Sequence, residues 1–176
     1  MEKSPDIQLQ SKKPFSDSNH GGNLLSAVLA TAGFGVVLYG IFTGSSGLYG
    51  AASKITFSDG LYEFWHELVR LVVFSLLLLG AVRINCWRLR VPLGKVLLAA
   101  LRCLAIVVLI EAVRVLQLDH NVSRLILISV AQFVICTAAV TMFFASTIRE
   151  SIVFTLGCTI GVVLLWLGAH VGIWII

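Results

Sequence analysis

Five segments of this sequence stay apolar for about 20 residues or more, the length a helix needs to cross the hydrocarbon of a bilayer. The first runs roughly from Leu24 to Gly44 and carries no charge. The second, Leu61 to Cys86, has polar residues in its first turns and an uncharged stretch from Leu71 to Val82. The third, Val96 to Leu118, contains Arg102, Glu111 and Arg114. The fourth, Leu125 to Ile148, and the fifth, Ser151 to Ile176, are uncharged.

Composition closes off the other fold classes. The chain is 58% hydrophobic and 12% charged, with a mean hydropathy of +0.95. That is too little polar side chain to cover a water-facing surface, and too much apolar side chain for a disordered chain. A membrane barrel would show alternating segments of about ten residues. Here the apolar runs are continuous and longer, and helices satisfy their own backbone hydrogen bonds in hydrocarbon. The expectation is an all-α, polytopic membrane helical bundle of about five transmembrane helices, spanning 23–176.

Residues 1–22 differ. They hold charges, serines, Pro5, Pro14 and Gly21-Gly22, and read as a flexible cytoplasmic tail. The apolar stretch behind them is too long for a signal-peptide core, and Ala51-Ala52-Ser53 only faintly resembles a cleavage site. The first span is therefore read as an uncleaved anchor. Asp59-Gly60 is a candidate cap and turn before the second helix. Arg90-Val91-Pro92-Leu93-Gly94 breaks the chain before the third. Asp119-His120-Asn121 makes a hairpin before the fourth, and Thr147-Ile148-Arg149-Glu150 has capping-box spacing before the fifth.

Basic residues set the expected orientation. Arg83, Arg88, Arg90 and Lys95 sit between spans two and three, and Lys3, Lys12 and Lys13 lie in the tail. The positive-inside rule puts both in the cytoplasm, and five spans then put the C-terminus outside. Arg149 agrees; Arg114 and Arg124 oppose mildly. The net charge of +4 needs no nucleic-acid partner, because anionic inner-leaflet lipid accounts for it.

The fifth span carries Gly157, Gly161, Gly168 and Gly172 on one helix face. Small residues let helix backbones approach closely. This stripe reads either as packing within the bundle or as a contact with a second copy or another membrane subunit. The first span has a lesser stripe: Ala27, Thr31 and Gly35, then Gly40 and Gly44.

The remaining polar side chains gather toward the expected outer ends of the helices. Glu63, Glu67 and Arg70 follow one another at i, i+4 and i+7, with His66 beside them. Glu111 and Arg114 are i and i+3, and Asp119, His120 and Arg124 surround the hairpin. Ionisable groups deep in a membrane face the bundle interior with partners. Pairing of Glu67 or Glu63 with Arg70, and of Glu111 with Arg114, is the simplest arrangement. The cluster then either fixes helix register or lines an outer vestibule. In the second case Arg70, Arg114 and Arg124 could hold an anion, and Glu67, Glu111 and His66 could titrate.

His66 and His170 lie at similar expected depth, and two such histidines could ligate a haem iron. No other cofactor is suggested, and no zinc-ligand spacing occurs. Cys86, Cys103, Cys136 and Cys158 form no CxxC and read as small core hydrophobes. The sequon Asn121-Val122-Ser123 lies too close to the membrane to accept a glycan. No nucleophile motif occurs, and Gly44-Ser45-Ser46-Gly47 lacks the Lys and helix of a phosphate loop.

At Arg90-Val91-Pro92-Leu93, and at Glu111-Ala112-Val113-Arg114 followed by Asp119-His120, the sequence resembles the phosphate-starvation-inducible E (PsiE-like) family. Those are small bacterial inner-membrane proteins. The resemblance spans about 61–146; the spacing from Pro92 to Arg114 is longer than the family's, and the fifth span is extra. It implies a bacterial inner-membrane location and a stress-related role, and assigns no catalytic residue. The expected function is a small non-enzymatic accessory membrane protein. The alternatives are a small ion or anion transporter and a haem-bearing redox subunit.

Overall fold

The computed structural model describes residues 22–43, 56–114, 122–144 and 146–175, the side chains of 22–23, 89, 122–125 and 165–175 excepted. Within them are five α-helices and no strand: α1 Gly22–Thr43, α2 Phe57–Leu89, α3 Val96–Arg114, α4 Val122–Phe144 and α5 Ile148–Ile175. The expected tail, apart from Gly22, lies outside the described residues, as do Ala51-Ala52-Ser53 and the hairpin Asp119-His120-Asn121.

Three described helical stretches are long and apolar enough to cross a membrane: Leu24–Thr43, Val96–Arg114 and Ile126–Phe144. The longest helix, α2, has 33 residues and carries charge at both ends around the uncharged stretch Leu71–Val82.

Local chemistry explains where α2 begins and ends. Its N-cap is Thr56, not Asp59, so the helix starts a turn earlier than the apolar pattern suggests. Asp59 instead closes a capping box: Thr56 N–H donates to Asp59 Oδ2 at 3.1 Å, and Asp59 N–H donates to Thr56 Oγ1 at 3.3 Å. The far end closes with two reverse bonds. Val91 N–H reaches Cys86 O at 3.0 Å and Arg90 N–H reaches Trp87 O at 3.1 Å. This is a Schellman motif. Thr147 and Glu150 form the expected capping box before α5, with reciprocal bonds of 3.0 and 3.3 Å.

The third helix is the hub. It packs on α1, α2 and α4, while α5 packs on α4 and touches α2. Half of α3's apolar stretch is buried, against 28% for α1 and 22% for α4. Ala99, Cys103, Ala105 and Ile106 are fully buried there, with Val82, Val140 and Phe143 packed into the same core. Cys86, Cys103 and Cys136 are buried free thiols, in keeping with a packing role.

The α1–α3 contact depends on Gly33. A Cβ there would meet Val108 Cγ1 at 2.8 Å, with the Val108 backbone behind it at 3.5 Å. Gly35, two residues on, faces open space. Gly33→Ala is expected to lower the melting temperature in detergent, as overpacking costs about 1–3 kcal/mol. Gly35→Ala is expected to leave it unchanged or raise it through helix propensity. Equal effects at the two positions would refute the close approach.

The α2 cap has a pH signature. The Thr56 hydroxyl, and then its backbone N–H, hold the Asp59 carboxyl below the usual carboxylate range. A depressed folded-state pKa contributes stability that is complete above about pH 4 and lost as pH falls through the lower folded value. Protection of the Asp59 and Gly60 amides from exchange, relative to the intrinsic rate, should therefore fall below about pH 4, and Asp59→Asn should remove that dependence.

Candidate functional site

Arg70 of α2 and Glu111 of α3 meet where these two helices pack against each other. Arg70 Nη2 is 3.3 Å from Glu111 Oε1. The other carboxylate oxygen, Oε2, accepts a hydrogen bond from Arg114 Nη1 at 2.9 Å. Glu67 Oε2 lies 3.9 Å from Arg70 Nη1. Glu67, Arg70, Glu111 and Arg114 thus alternate in sign along one chain of contacts, two acids and two bases.

Both carboxylates are buried, each side chain 7% exposed, whereas Arg70 and Arg114 are 33% and 34% exposed. Arg70 lies roughly 20 Å into α2 at the helical rise per residue. Its guanidinium also sits over the Phe74 ring, 5.5 Å from the centroid. One residue before Glu111, the Ile110 carbonyl accepts a hydrogen bond from Gln132 of α4 at 3.3 Å. The network is thereby tied to a third helix.

The other expected site residues are distributed differently. Glu63 is half-buried and makes no ion pair among the described residues. His66 is exposed on α2 and packs against Tyr62, ring centroids 4.5 Å apart. Asp119 and His120 lie outside the described residues, as do the side chains of Arg124 and His170. The pairing of His66 with His170 around a haem therefore has only its first member in view. Gly157 and Gly161 have no other helix against them among the described residues: beyond the nearby backbone of α5, nothing lies within 4 Å of a Cβ built on either. Gly168 and Gly172 continue α5, with their surroundings outside the description.

Two polar sites escape sequence reasoning. Arg102 is 1% exposed, and its Nη1 donates to the carbonyl of Phe143 in the last turn of α4. The last carbonyls of a helix have no partner within it, and a cation there also complements the helix dipole. An intramembrane Arg announces a need for partners, but a backbone carbonyl leaves no trace in the sequence. Beside it, Ser151 joins α4 to α5. Thr141 donates to Ser151 Oγ at 2.8 Å, and Ser146 and Ser151 share a bond of 2.6 Å. A cleft lined by Val82, Asn85, Ser146, Glu150 and Phe154 lies at the same end.

Among the described residues no group of three or more His, Cys, Asp or Glu side chains could hold a metal ion. What the main cluster can do is join helices by charge and present two partly open guanidinium groups.

No family model, no curated protein and no solved structure matches this chain.

Arg102→Met keeps most of the side-chain volume but leaves the end of α4 without its donor. Losing a partner at a buried polar group costs about 1–3 kcal/mol. A clear drop in the detergent melting temperature is expected, and an unchanged value would remove Arg102 from the structural account.

Proposed function

We propose that this chain is a small integral membrane protein without enzymatic activity, an accessory protein in which the Glu67–Arg70–Glu111–Arg114 network clamps α2 to α3. The observation that carries this reading is the Arg70–Glu111 contact. It crosses between helices, it leaves both buried carboxylates answered, and it leaves the described network with no charge in excess.

All five helices cross the bilayer in this reading. Val69, Val72, Val73, Leu76 and Leu77 are exposed along the middle of α2, and Ile152, Val153, Leu156, Ile160 and Leu164 along α5. Such surfaces are untenable in water and suited to lipid. The basic α2–α3 turn faces the cytoplasm, which places the N-terminus inside and the C-terminus outside. A bacterial inner-membrane location and a stress-related role rest on the family resemblance alone, which includes Arg114 of the network.

A second reading draws on the one-third exposure of Arg70 and Arg114. Two open guanidinium groups over buried carboxylates could form the mouth of an anion pathway.

Charge reversal separates the two. Arg70→Glu and Glu111→Arg are each expected to destabilise the detergent-purified protein, near the lower end of the ~3–5 kcal/mol for breaking a buried pair. The double variant is expected to recover a good part of that loss, as a direct pair requires. Additive losses would refute the clamp. Glu111→Gln that melts like wild type but loses anion flux in liposomes would replace the clamp with transport.

A further inference from the structure

The turn between α2 and α3 holds a charged surface that the clamp does not use. Arg83, Arg88, Arg90 and Lys95 are all exposed, and none makes an ion pair among the described residues. No acid occurs in the chain between Glu67 and Glu111. Among the described residues the acid at this end of the bundle is Glu150, whose carboxylate is engaged by the Thr147 N–H. Interleaved with the cations are large apolar side chains that point outward: Trp87 is 82% exposed and Leu97 84%, with Ile84 and Val96 also exposed.

The backbone adds an independent observation. Arg90 has φ 53° and ψ 40°, the left-handed conformation, and is the one described non-glycine residue with positive φ. That position of a Schellman motif is usually glycine, because a Cβ is crowded there. Gly94, four residues on, does occupy a positive φ, of 80°. At Arg90 the chain keeps a long cation where backbone geometry favours no side chain at all. Such an outlier points to a role for the side chain itself.

We infer that the α2–α3 turn binds the phosphate headgroups of anionic phospholipid, with Arg88, Arg90 and Lys95 on the headgroup and Trp87 and Leu97 among the acyl chains. The inference rests on the membrane reading above. A group of cations with no ion pair among the described residues gives charge complementarity to an anionic headgroup. The outward Trp and Leu give the site the second, apolar half of a lipid, which free phosphate lacks.

The test uses the full chain, purified and offered equal amounts of phosphatidylglycerol and phosphatidylcholine. Retained lipid is counted by native mass spectrometry. Wild type is expected to keep phosphatidylglycerol in preference to phosphatidylcholine. The Arg88→Gln, Arg90→Gln, Lys95→Gln variant is expected to lose that preference, by about fivefold per charge removed, the value of one basic residue at an anionic surface. Arg90→Gly is the control for folding: its melting temperature should equal or exceed wild type while its preference falls. Equal retention of the two lipids by wild type, or an unchanged preference in the triple variant, overturns the proposal. Displacement of phosphatidylglycerol by millimolar inorganic phosphate also overturns it, in favour of a free-anion site. Failure of the wild-type chain to enter phosphatidylcholine nanodiscs would overturn the membrane reading itself, an outcome distinct from the others.

Discussion

A carboxyl group buried in an apolar bundle needs cationic partners that stay with it, and Glu111 has two. One, Arg114, comes from its own helix and would be present in an isolated α3. The other, Arg70, comes from α2 and is present only when the two helices are in register. A rotation of α2 or a slide by one turn would strand Glu67, Arg70 or both in a medium that solvates neither. Apolar packing alone tolerates such slides, because lipid is as apolar as the core and one Leu ridge resembles the next. The ion pair is thus the term that distinguishes one arrangement of α2 on α3 from its neighbours.

The rest of the bundle is organised by the same demand for internal partners. Arg102 answers the end of α4, the Ser151 hydroxyl joins α4 to α5, and Gln132 answers the Ile110 carbonyl. Each contact links two helices, and all three involve α4. Gly33 does the complementary work through shape, since its missing side chain lets α1 lie close against Val108. Polar contacts and small residues together hold helices where the hydrophobic effect supplies no drive between them.

Much of the helical layout was readable in the apolar runs, because hydrocarbon thickness and backbone hydrogen bonding permit few other solutions. The capping box at Thr147 was readable because its spacing is local. The start of α2 was misplaced by a few residues because Thr56 and Phe57 precede the apolar run and add little to it. Of the polar cluster, the i, i+3 pairs Glu67–Arg70 and Glu111–Arg114 followed from helix geometry. The bond between Arg70 and Glu111 depends on how two faces meet, which no spacing within either helix encodes. His66 shows the converse: adjacent in sequence to Glu67, it is exposed and packs on Tyr62 while Glu67 is buried. The carbonyl partner of Arg102 had no residue-type signature to find.

The short turn from Arg90 to Lys95 bears on how such a chain enters a bilayer. Alone, α3 would carry Arg102 and Glu111 into hydrocarbon, and a central charge opposes insertion by about 2.5–3.5 kcal/mol on a biological scale. With α2 beside it, Glu111 arrives already matched to Arg70. A turn this tight keeps the two helices neighbours from the moment both have been synthesised. In the proposed five-span arrangement, the unit of membrane entry is the α2–α3 hairpin, not the single span, and α4 follows onto a helix pair whose Arg102 answers its last carbonyls.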